Sequence, residues 1–358
     1  MRRPAAKPLP LSDTMLPTQS TCCWARRSCR VTKQAGLAFS FCILLTGAGA
    51  VPIRQEPGHP VPPELQPYVN AQSVVNWPPA KLIKQYSELE DLEFARSQEE
   101  LPALLEKVGE GVEALFRDFA NVSSIESISQ EMQNPRAAPQ ALDPVGQEIG
   151  IRRGMPQALQ RTCNYLIVAH RDEKGIFLEE YRTNNKGERI DLGSFLIVTQ
   201  GFVSTPLLFH PRYQTGSLYR YLGRETKGRK LQVLAFAQRP ETAELIGSFH
   251  LIGGPVALLT QGIAWIDPDC FQIVRMHTDL LAPRTDIRLA RQASEIELGE
   301  VRFEGLPQPL WLPSKVVVTI DWQHTTYRNR HHYKNYKLFS VETREDKKEI
   351  VRPPRHIP

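Results

Sequence analysis

The pattern of apolar and polar positions divides the chain into a short helical part, residues 81–120, and a long β-rich part. In the helical part, apolar side chains recur at steps of three, four and seven, the spacing of one face of an α-helix. This stripe consists of Leu101, Leu104, Leu105, Val108, Val112, Leu115, Phe116 and Phe119. The helix is predicted to start near Pro102, which suits a first helical turn, or at the capping box that runs from Ser97 to Glu100.

From residue 122 to residue 341, apolar and polar positions alternate and turn residues separate the runs, which predicts an antiparallel meander. Hairpins are expected at Asp172-Glu173-Lys174-Gly175, Thr226-Lys227-Gly228 and Asp267-Pro268-Asp269. A two-residue turn in the second hairpin would place Tyr219 opposite Phe236 and Glu225 opposite Lys230. At Gly299 the apolar side chains switch from even-numbered to odd-numbered positions, which predicts a β-bulge there. The fold class is therefore α+β, an antiparallel sheet covered by the N-terminal amphipathic helix.

The hairpin of residues 217–239 is apolar on both faces. One side carries Leu218, Leu222, Leu231 and Val233, and the other carries Tyr219, Tyr221, Leu234 and Phe236. A free-standing sheet in water has one wet face, so the helix would cover one side, and a second layer, a partner or a lipophilic ligand the other. The alternative is a two-layer core whose register the pattern misplaces. A hydrophobic concavity is expected to be lined by Tyr219, Tyr221, Leu234, Phe236, Ile263 and Val274.

The first 80 residues predict export. A basic stretch precedes the apolar run 35–45, and Ala48-Gly49-Ala50 offers small residues for cleavage, so residues 1–50 have the order of a secretory signal peptide. The apolar run is short of the roughly 20 residues that a membrane span needs. A twin-arginine signal at Arg26-Arg27 and a lipid anchor at Cys42 fit less well. The mature protein is expected to be periplasmic or secreted, without a transmembrane span.

Residues 51–79 hold eight prolines and no hydrophobic period, which predicts an extended tether over 51–80. One α+β domain is expected over 81–345, with its helical part at 81–120 and its β meander at 122–341. Residues 346–358 would form a charged tail.

Charge and cysteine content change the picture once the signal is removed. The chain of 358 residues has a formal net charge of +5, but residues 1–50 carry +6 and the remainder −1, which argues against nucleic acid as a partner. Four of the six cysteines also lie in residues 1–50. The remaining Cys163 and Cys270, both in predicted strands, would form a disulfide after export or stay as two free core thiols.

The familiar catalytic and metal motifs are absent. There is no HExxH, GxSxG or Walker sequence; residues 223–229 resemble the start of a phosphate loop but lack its Lys-Ser/Thr pair. The basic and aromatic run of residues 328–337 would split its basic and aromatic side chains between two strand faces, so an exposed basic face on an edge strand explains it better than nucleic-acid binding. A metal site at Asp321, His324, His331 and His332 is disfavoured because adjacent histidines in a strand point opposite ways. No cofactor is expected.

The order of these parts resembles the LolA-like superfamily of bacterial lipoprotein-localisation factors. The resemblance lies in the export signal, the helix over 101–119 running into 125–130, and the segments Gly262-Ile263-Ala264-Trp265-Ile266-Asp267-Pro268, Glu300-Val301-Arg302-Phe303 and Trp311-Leu312-Pro313. Other segments are similar to exported proteins of soil bacteria such as the Acidobacteria: Leu222-Gly223, Ala235-Phe236-Ala237-Gln238-Arg239-Pro240 and Arg328-Asn329-Arg330-His331. The superfamily resemblance implies a curved half-barrel sheet that holds acyl chains in its concavity.

The expected function is therefore non-enzymatic binding of a lipid or lipoprotein acyl chain. The alternative is an envelope protein–protein interaction or sensor module without a lipid ligand. A hydrolase comes third, because the sequence shows no nucleophile–base pair.

Overall fold

The computed structural model describes residues 61–117, 119–133, 141–142, 148–149, 158–172, 175–190, 197–251 and 254–339. All of them belong to one compact unit, Glu56–Pro358. The predicted signal peptide, its cleavage point and the charged tail lie outside the described residues. No helix within the described ranges is long and apolar enough to cross a membrane.

Helices are few and most are short. The two α-helices are α1 (Pro79–Gln85) and α2 (Leu101–Arg117). Short 3-10 segments lie at Pro63–Tyr68, Val74–Asn76, Ser87–Leu89, Thr205–Phe209, Gln214–Gly216 and Thr285–Ile287. The predicted stripe is confirmed in α2, where Leu104, Val108, Val112, Leu115 and Phe116 are buried. Pro102 is the second residue of this helix, where its missing N–H leaves no helical hydrogen bond unmade.

Fifteen strands are described. They are β1 (Leu92–Phe94), β2 (Val122–Gln133), β3 (Ala141–Leu142), β4 (Glu148–Ile149), β5 (Ala158–Asp172), β6 (Gly175–Thr183), β7 (Ser217–Glu225), β8 (Gln232–Gln238), β9 (Gly247–Leu251), β10 (Gly254–Leu258), β11 (Thr260–Ile266), β12 (Ile273–Leu280), β13 (Leu289–Val301), β14 (Leu310–Trp322) and β15 (Thr325–Leu338). Because β1 and a 3-10 turn lie between α1 and α2, the helical part 81–120 is not one continuous helix.

Eleven strands form one curved antiparallel sheet in the order β1-β7-β8-β11-β12-β13-β14-β15-β2-β5-β6. The three predicted hairpins are confirmed as β5–β6, β7–β8 and β11–β12. The predicted edge strand is wrong, because β15, which carries the basic and aromatic run, lies inside the sheet between β14 and β2. Its odd-numbered residues from Thr325 to Tyr333 face the interior, and its exposed His332 points the other way.

Two of the bulges in the main sheet bear on the predicted registers. Tyr219 faces Phe236 as predicted, but the ladder shifts between Tyr221 and Gly223. The Glu225 N–H therefore bonds to the Leu231 carbonyl, and the predicted pairing of Glu225 with Lys230 is wrong. The second bulge lies in the β13–β14 ladder, where Ser314 on β14 has no partner on β13. The predicted bulge at Gly299 on β13 is therefore on the wrong strand, although it is one residue away along the ladder.

Apolar layers cover the two faces of the sheet. On the inner face, α2 and the segment Phe202–Phe209 pack against strand residues such as Phe236, Ile296 and Tyr165. On the outer face, residues 61–89, here called the N-terminal segment, pack against β7, β8, β11 and β12. The prediction of an extended tether over 51–80 is therefore wrong for its described part, where Leu65, Tyr68, Val74 and Val75 are buried. These residues lie in short 3-10 turns, which need no hydrophobic period to pack, and proline starts the turn that holds Leu65 and Tyr68.

Cys163 and Cys270 are both free, so of the two alternatives that the sequence left open the structure supports free thiols and not the disulfide. Cys163 is buried on β5, whereas Cys270 is exposed in the turn between β11 and β12 and not in a strand. Four strands separate β12 from β5 in the sheet. At about 4.8 Å per strand this is roughly 20 Å or more, against an upper limit of about 7 Å between the Cα atoms of a disulfide.

Candidate functional site

The six predicted lining residues do not line one concavity. Tyr219, Tyr221, Leu234 and Phe236 belong to the inner core beneath α2, whereas Ile263 and Val274 belong to the outer core. Phe236 has no exposed surface, and its ring packs at 5.4 Å from that of Phe209. These side chains fill the core of the described fold. The alternative of a two-layer core is the one that the structure supports at this hairpin.

A cleft of about 560 Å³ opens instead on the outer face, between the N-terminal segment and the ends of β12 and β13. Its lining consists of Gln72, Trp77, Lys81, Gln85, Gln261, Asp279, Leu280, Leu281, Ala282, Pro283, Ala290 and Arg291. The cleft exists because β12 and β13 diverge here. Their ladder has its last pair at Thr278 and Ser294, and the chain then leaves the sheet through Pro283 and the 3-10 turn Thr285–Ile287.

The first wall of the cleft is formed by Trp77 and α1. Pro78 and Pro79 restrict the backbone after Trp77 and start α1, because proline is tolerated at the first helical position. Lys81 and Gln85 are four residues apart and so share one helix face. The Lys81 Nζ lies 3.7 Å from the centroid of the Trp77 ring, a cation–π contact that directs the ammonium group over the aromatic face.

Two side chains of the sheet fasten this wall. The Gln261 Oε1 accepts from the Val74 N–H at 2.8 Å, while its Nε2 donates to the Leu280 carbonyl at 3.0 Å. The Arg220 Nη1 donates to the carbonyls of Trp77 at 2.7 Å and Val75 at 3.2 Å. These hydrogen bonds satisfy backbone N–H and C=O groups that would otherwise be buried against the sheet without partners. The wall is therefore held in place without a ligand.

The second wall carries an acidic and a basic side chain. The Arg291 Nε lies 3.8 Å from the Asp279 Oδ2, too far for a hydrogen bond. Burial raises the pKa of Asp279 to about 6, although Arg291 and the Leu280 N–H, which donates to this carboxylate, act in the opposite direction. With an apolar floor that includes Leu281, Ala282 and Ala290, the cleft suits an amphipathic ligand.

A second polar site lies on the inner face, where three side chains form a relay. The Thr199 Oγ1 is 2.8 Å from the His331 Nε2, and the His331 Nδ1 is 2.8 Å from the Glu126 Oε1. Hydroxyl, imidazole and carboxylate follow one another in this way in nucleophilic triads. A hydroxyl–imidazole pair that the sequence did not reveal is therefore present, because Thr199 lies against His331 of β15. The neighbouring strand β2 supplies the carboxylate of Glu126.

The surroundings of this relay favour a structural role. Arg182 already binds the Glu126 carboxylate, at 2.6 Å from Nε to Oε2 and 2.9 Å from Nη2 to Oε1. Burial lowers the pKa of His331 despite the opposing effect of Glu126, which leaves a weak base. The space beside Thr199 is about 10 Å³, barely room for one water molecule. A substrate carbonyl has no place there.

The relay instead clamps residues 197–199 onto the sheet. The Arg182 Nη2 donates to the Thr199 carbonyl at 3.1 Å. The side-chain amides of Gln130 and Asn329 both donate to the Ile197 carbonyl, at 2.7 and 3.0 Å. Among the described residues, no group of three or more His, Cys, Asp or Glu side chains is placed to hold a metal ion.

Sequence reasoning missed the cleft because its lining residues come from parts of the chain that were predicted to form different structures. Trp77 fell in the predicted tether, Asp279 fell in a predicted strand, and Arg291 fell between two predicted strands. One local signal was available. An aromatic residue followed by Pro-Pro, with Lys81 and Gln85 at helical spacing, indicates a short helix with one polar face and not a tether.

Comparison with known proteins gives limited information. No protein-family model matches the chain, and no curated protein matches it. Two solved structures resemble the fold weakly. A DUF1329 family protein from Desulfovibrio piger has 10% sequence identity and a TM-score of 0.35, with 68% of this chain and 94% of that chain covered. A domain described as an outer membrane lipoprotein-sorting protein, from Vibrio parahaemolyticus, has 7% identity and a TM-score of 0.28, with 67% and 93% covered.

Similarity at this level establishes neither a family nor a function. The LolA-like assignment remains a resemblance, and the likeness to acidobacterial proteins remains a prediction.

Proposed function

We propose that this protein is a non-catalytic binding protein of the bacterial cell envelope. Its ligand is a lipid-like amphiphile, such as the acyl chain of a lipid or lipoprotein, and its binding site is the cleft between the N-terminal segment and β12–β13. The observation that carries the proposal is the cleft itself. Its volume of about 560 Å³ falls within the range of roughly 300–1,000 Å³ that small-molecule sites occupy.

The chemistry of the cleft supports this ligand class. Leu281, Ala282 and Ala290 offer an apolar surface for an aliphatic chain, and Trp77 adds an aromatic wall. The charged groups Lys81, Asp279 and Arg291 share the same lining, so one end of the ligand is expected to be polar. A half-barrel that holds its ligand beneath α2, as the LolA-like resemblance implies, has less support because the inner-face residues Leu234 and Phe236 are fully buried.

The first test is chemical. Protein purified from its native envelope would be extracted with organic solvent, and the extract analysed by lipid mass spectrometry. The proposal expects a co-purified lipid at close to one molecule per chain. Lipid-free protein that also fails to bind a dansyl-labelled fatty acid would overturn it.

A second test locates the site. Ala290 is exposed at the cleft, so Ala290→Trp should fill the cleft without disturbing the core. We expect this variant to weaken binding of the dansyl-labelled fatty acid at least tenfold in a fluorescence titration. The matched control is Thr162→Trp, at an exposed position of β5. Equal binding by both variants would show that the ligand lies elsewhere.

The alternative of a protein-interaction module is favoured by one observation. β6 is the last strand of the sheet, and beside its outer edge the Phe177 side chain is 48% exposed. A strand edge that has no neighbouring strand among the described residues, with an exposed aromatic residue close by, can accept a strand from a partner. A lipid-free protein that retains one reproducible partner through envelope purification would favour this function over lipid binding.

A further inference from the structure

We infer that the polar end of the ligand is an oxyanion, a carboxylate, sulfate or phosphate group, and that Lys81 and Arg291 bind it. This inference rests on the proposed function and names the head group that the cleft selects. Three features of the cleft carry it: its charge, the unmet hydrogen-bonding capacity of Arg291, and the free ammonium group of Lys81.

The charge of the lining favours an anion. Lys81 and Arg291 are cationic and Asp279 is the one acidic residue of the lining, so the cleft carries a formal charge of +1 when all three are ionised. Lys81 makes no ion pair with any described residue, and its Nζ rests on the Trp77 ring. An ammonium group directed by an aromatic face but unpaired is available to a ligand.

Arg291 has unmet donor capacity. Its Nε is buried and has no hydrogen-bond partner among the described residues. The nearest carboxylate, that of Asp279, is 3.8 Å away, although Arg–carboxylate pairs normally close to about 2.7–2.9 Å. A buried donor without a partner costs stability. The Arg291 side chain as a whole is 40% exposed, so its guanidinium group is in part open to the cleft. The planar guanidinium group matches an oxyanion through two parallel N–H bonds.

Asp279 makes this selection depend on pH. The carboxylate faces Arg291 and the Leu280 N–H, and Asp321 on β14 adds a second negative charge nearby. Because burial raises its pKa to about 6, Asp279 loses its charge as the pH falls below that value. The formal charge of the lining then rises from +1 to +2, so anion binding should strengthen in mild acid.

The experiment uses three amphiphiles with the same eight-carbon chain and different head groups. Octyl sulfate is anionic over the whole working range, octanol is neutral and octyltrimethylammonium is cationic. Each would be titrated into the full folded protein by calorimetry at pH 7.5, below its micellar concentration. We expect octyl sulfate to bind at least tenfold more tightly than the other two.

Variants of Lys81 and Arg291 then test whether these two residues cause the preference for an anionic head group. Arg291→Met and Lys81→Met keep most of the side-chain bulk and should each reduce octyl sulfate affinity about tenfold, a larger loss than the same variants cause for octanol. Lys334→Met, at an exposed position of β15, is the control. If all three amphiphiles bind equally, or if Arg291→Met binds octyl sulfate as the unmodified protein does, the anion inference is overturned and the binding function stands. If no amphiphile binds, both are overturned.

The pH dependence gives an independent readout. Octyl sulfate affinity should rise several-fold from pH 7.5 to pH 5, and Asp279→Asn should show the higher affinity at both values. His277, two residues away on β12, also titrates, but burial lowers its pKa, and the Asp279→Asn variant separates the two groups. A pH response that survives in Asp279→Asn would exclude Asp279 as its cause.

Discussion

Glu126 shows how a buried charge is held at the residue scale. Burial opposes its ionisation, but hydrogen bonds from His331 and Arg182 outweigh that effect and lower the pKa of Glu126 to about 2. Neither the Glu126 nor the Arg182 side chain is appreciably exposed. The ion pair between them therefore replaces the hydration that both charges lose on burial. Buried pairs of this kind add little net stability, yet removal of one partner leaves an uncompensated charge.

Arg182→Met is therefore expected to destabilise the fold by about 3–5 kcal/mol, because it leaves the Glu126 carboxylate buried and short of its cation. Urea unfolding would measure the loss. The double variant Glu126→Gln with Arg182→Met removes both charges and keeps an acceptor for His331, so it should be more stable than the single variant. Equal loss in both would show that the Arg182 bond to the Thr199 carbonyl matters more than the charge.

At the scale of elements, β1 illustrates how close two backbones approach at the edge of the sheet. Gly223 on β7 has φ +133°, and a Cβ added there would lie 1.9 Å from the Glu93 carbonyl oxygen of β1. The bulge between Tyr221 and Gly223 produces this conformation. Only glycine allows β1 to pair with β7 here.

Gly223→Ala should consequently lower the free energy of unfolding by about 2 kcal/mol or more, since backbone strain and a steric clash act together. Gly305 is the matched control. It also has a positive φ, +90°, but nothing lies within 4 Å of its added Cβ, so Gly305→Ala carries the strain alone. Thermal or urea unfolding would measure the loss of stability in each variant. Equal losses would show that β1 shifts to remove the clash with the added Cβ at little cost.

The elements differ in how far the sequence could predict them. Alternation and turn residues identified three hairpins, and the stripe from Leu101 to Phe116 identified α2, because these signals are local. The N-terminal segment escaped because proline-rich 3-10 turns bury residues such as Tyr68 without any period. The edge position of the basic strand was wrong because the β15–β2 pairing joins distant parts of the chain, which a local pattern does not show.

The candidate site was the least predictable part. Both sheet faces of the 217–239 hairpin were identified as apolar, but the assignment of Phe236 to an open face depended on which face α2 would cover. The cleft requires the divergence of β12 and β13 and a fold-back of Trp77 over them. Neither feature leaves a pattern in a single segment.

At the scale of the whole molecule, export remains a prediction, since it concerns residues outside those that the structure describes. Mature protein is expected to begin at or near Val51, because Ala48 and Ala50 occupy the small-residue positions of a signal cleavage site. Amino-terminal sequencing of protein recovered from the native envelope or the medium would establish the start. A chain that retains residues 35–50 would contradict both the cleavage and the proposed envelope location.

The hydrogen bonds between residues far apart in the sequence determine when, during synthesis, the fold can be completed. The contact of Val74 with Gln261 spans 187 positions, and that of Glu126 with His331 spans 205. At roughly 5–20 residues per second, synthesis of 205 residues takes on the order of 10–40 s. Throughout that interval β2 lacks β15, one of its two neighbouring strands. The N-terminal segment lacks part of its sheet until β12 has been made, and such long-range pairings form slowly. The nascent chain therefore stays open to translocation or to a holding chaperone until β15 has been made.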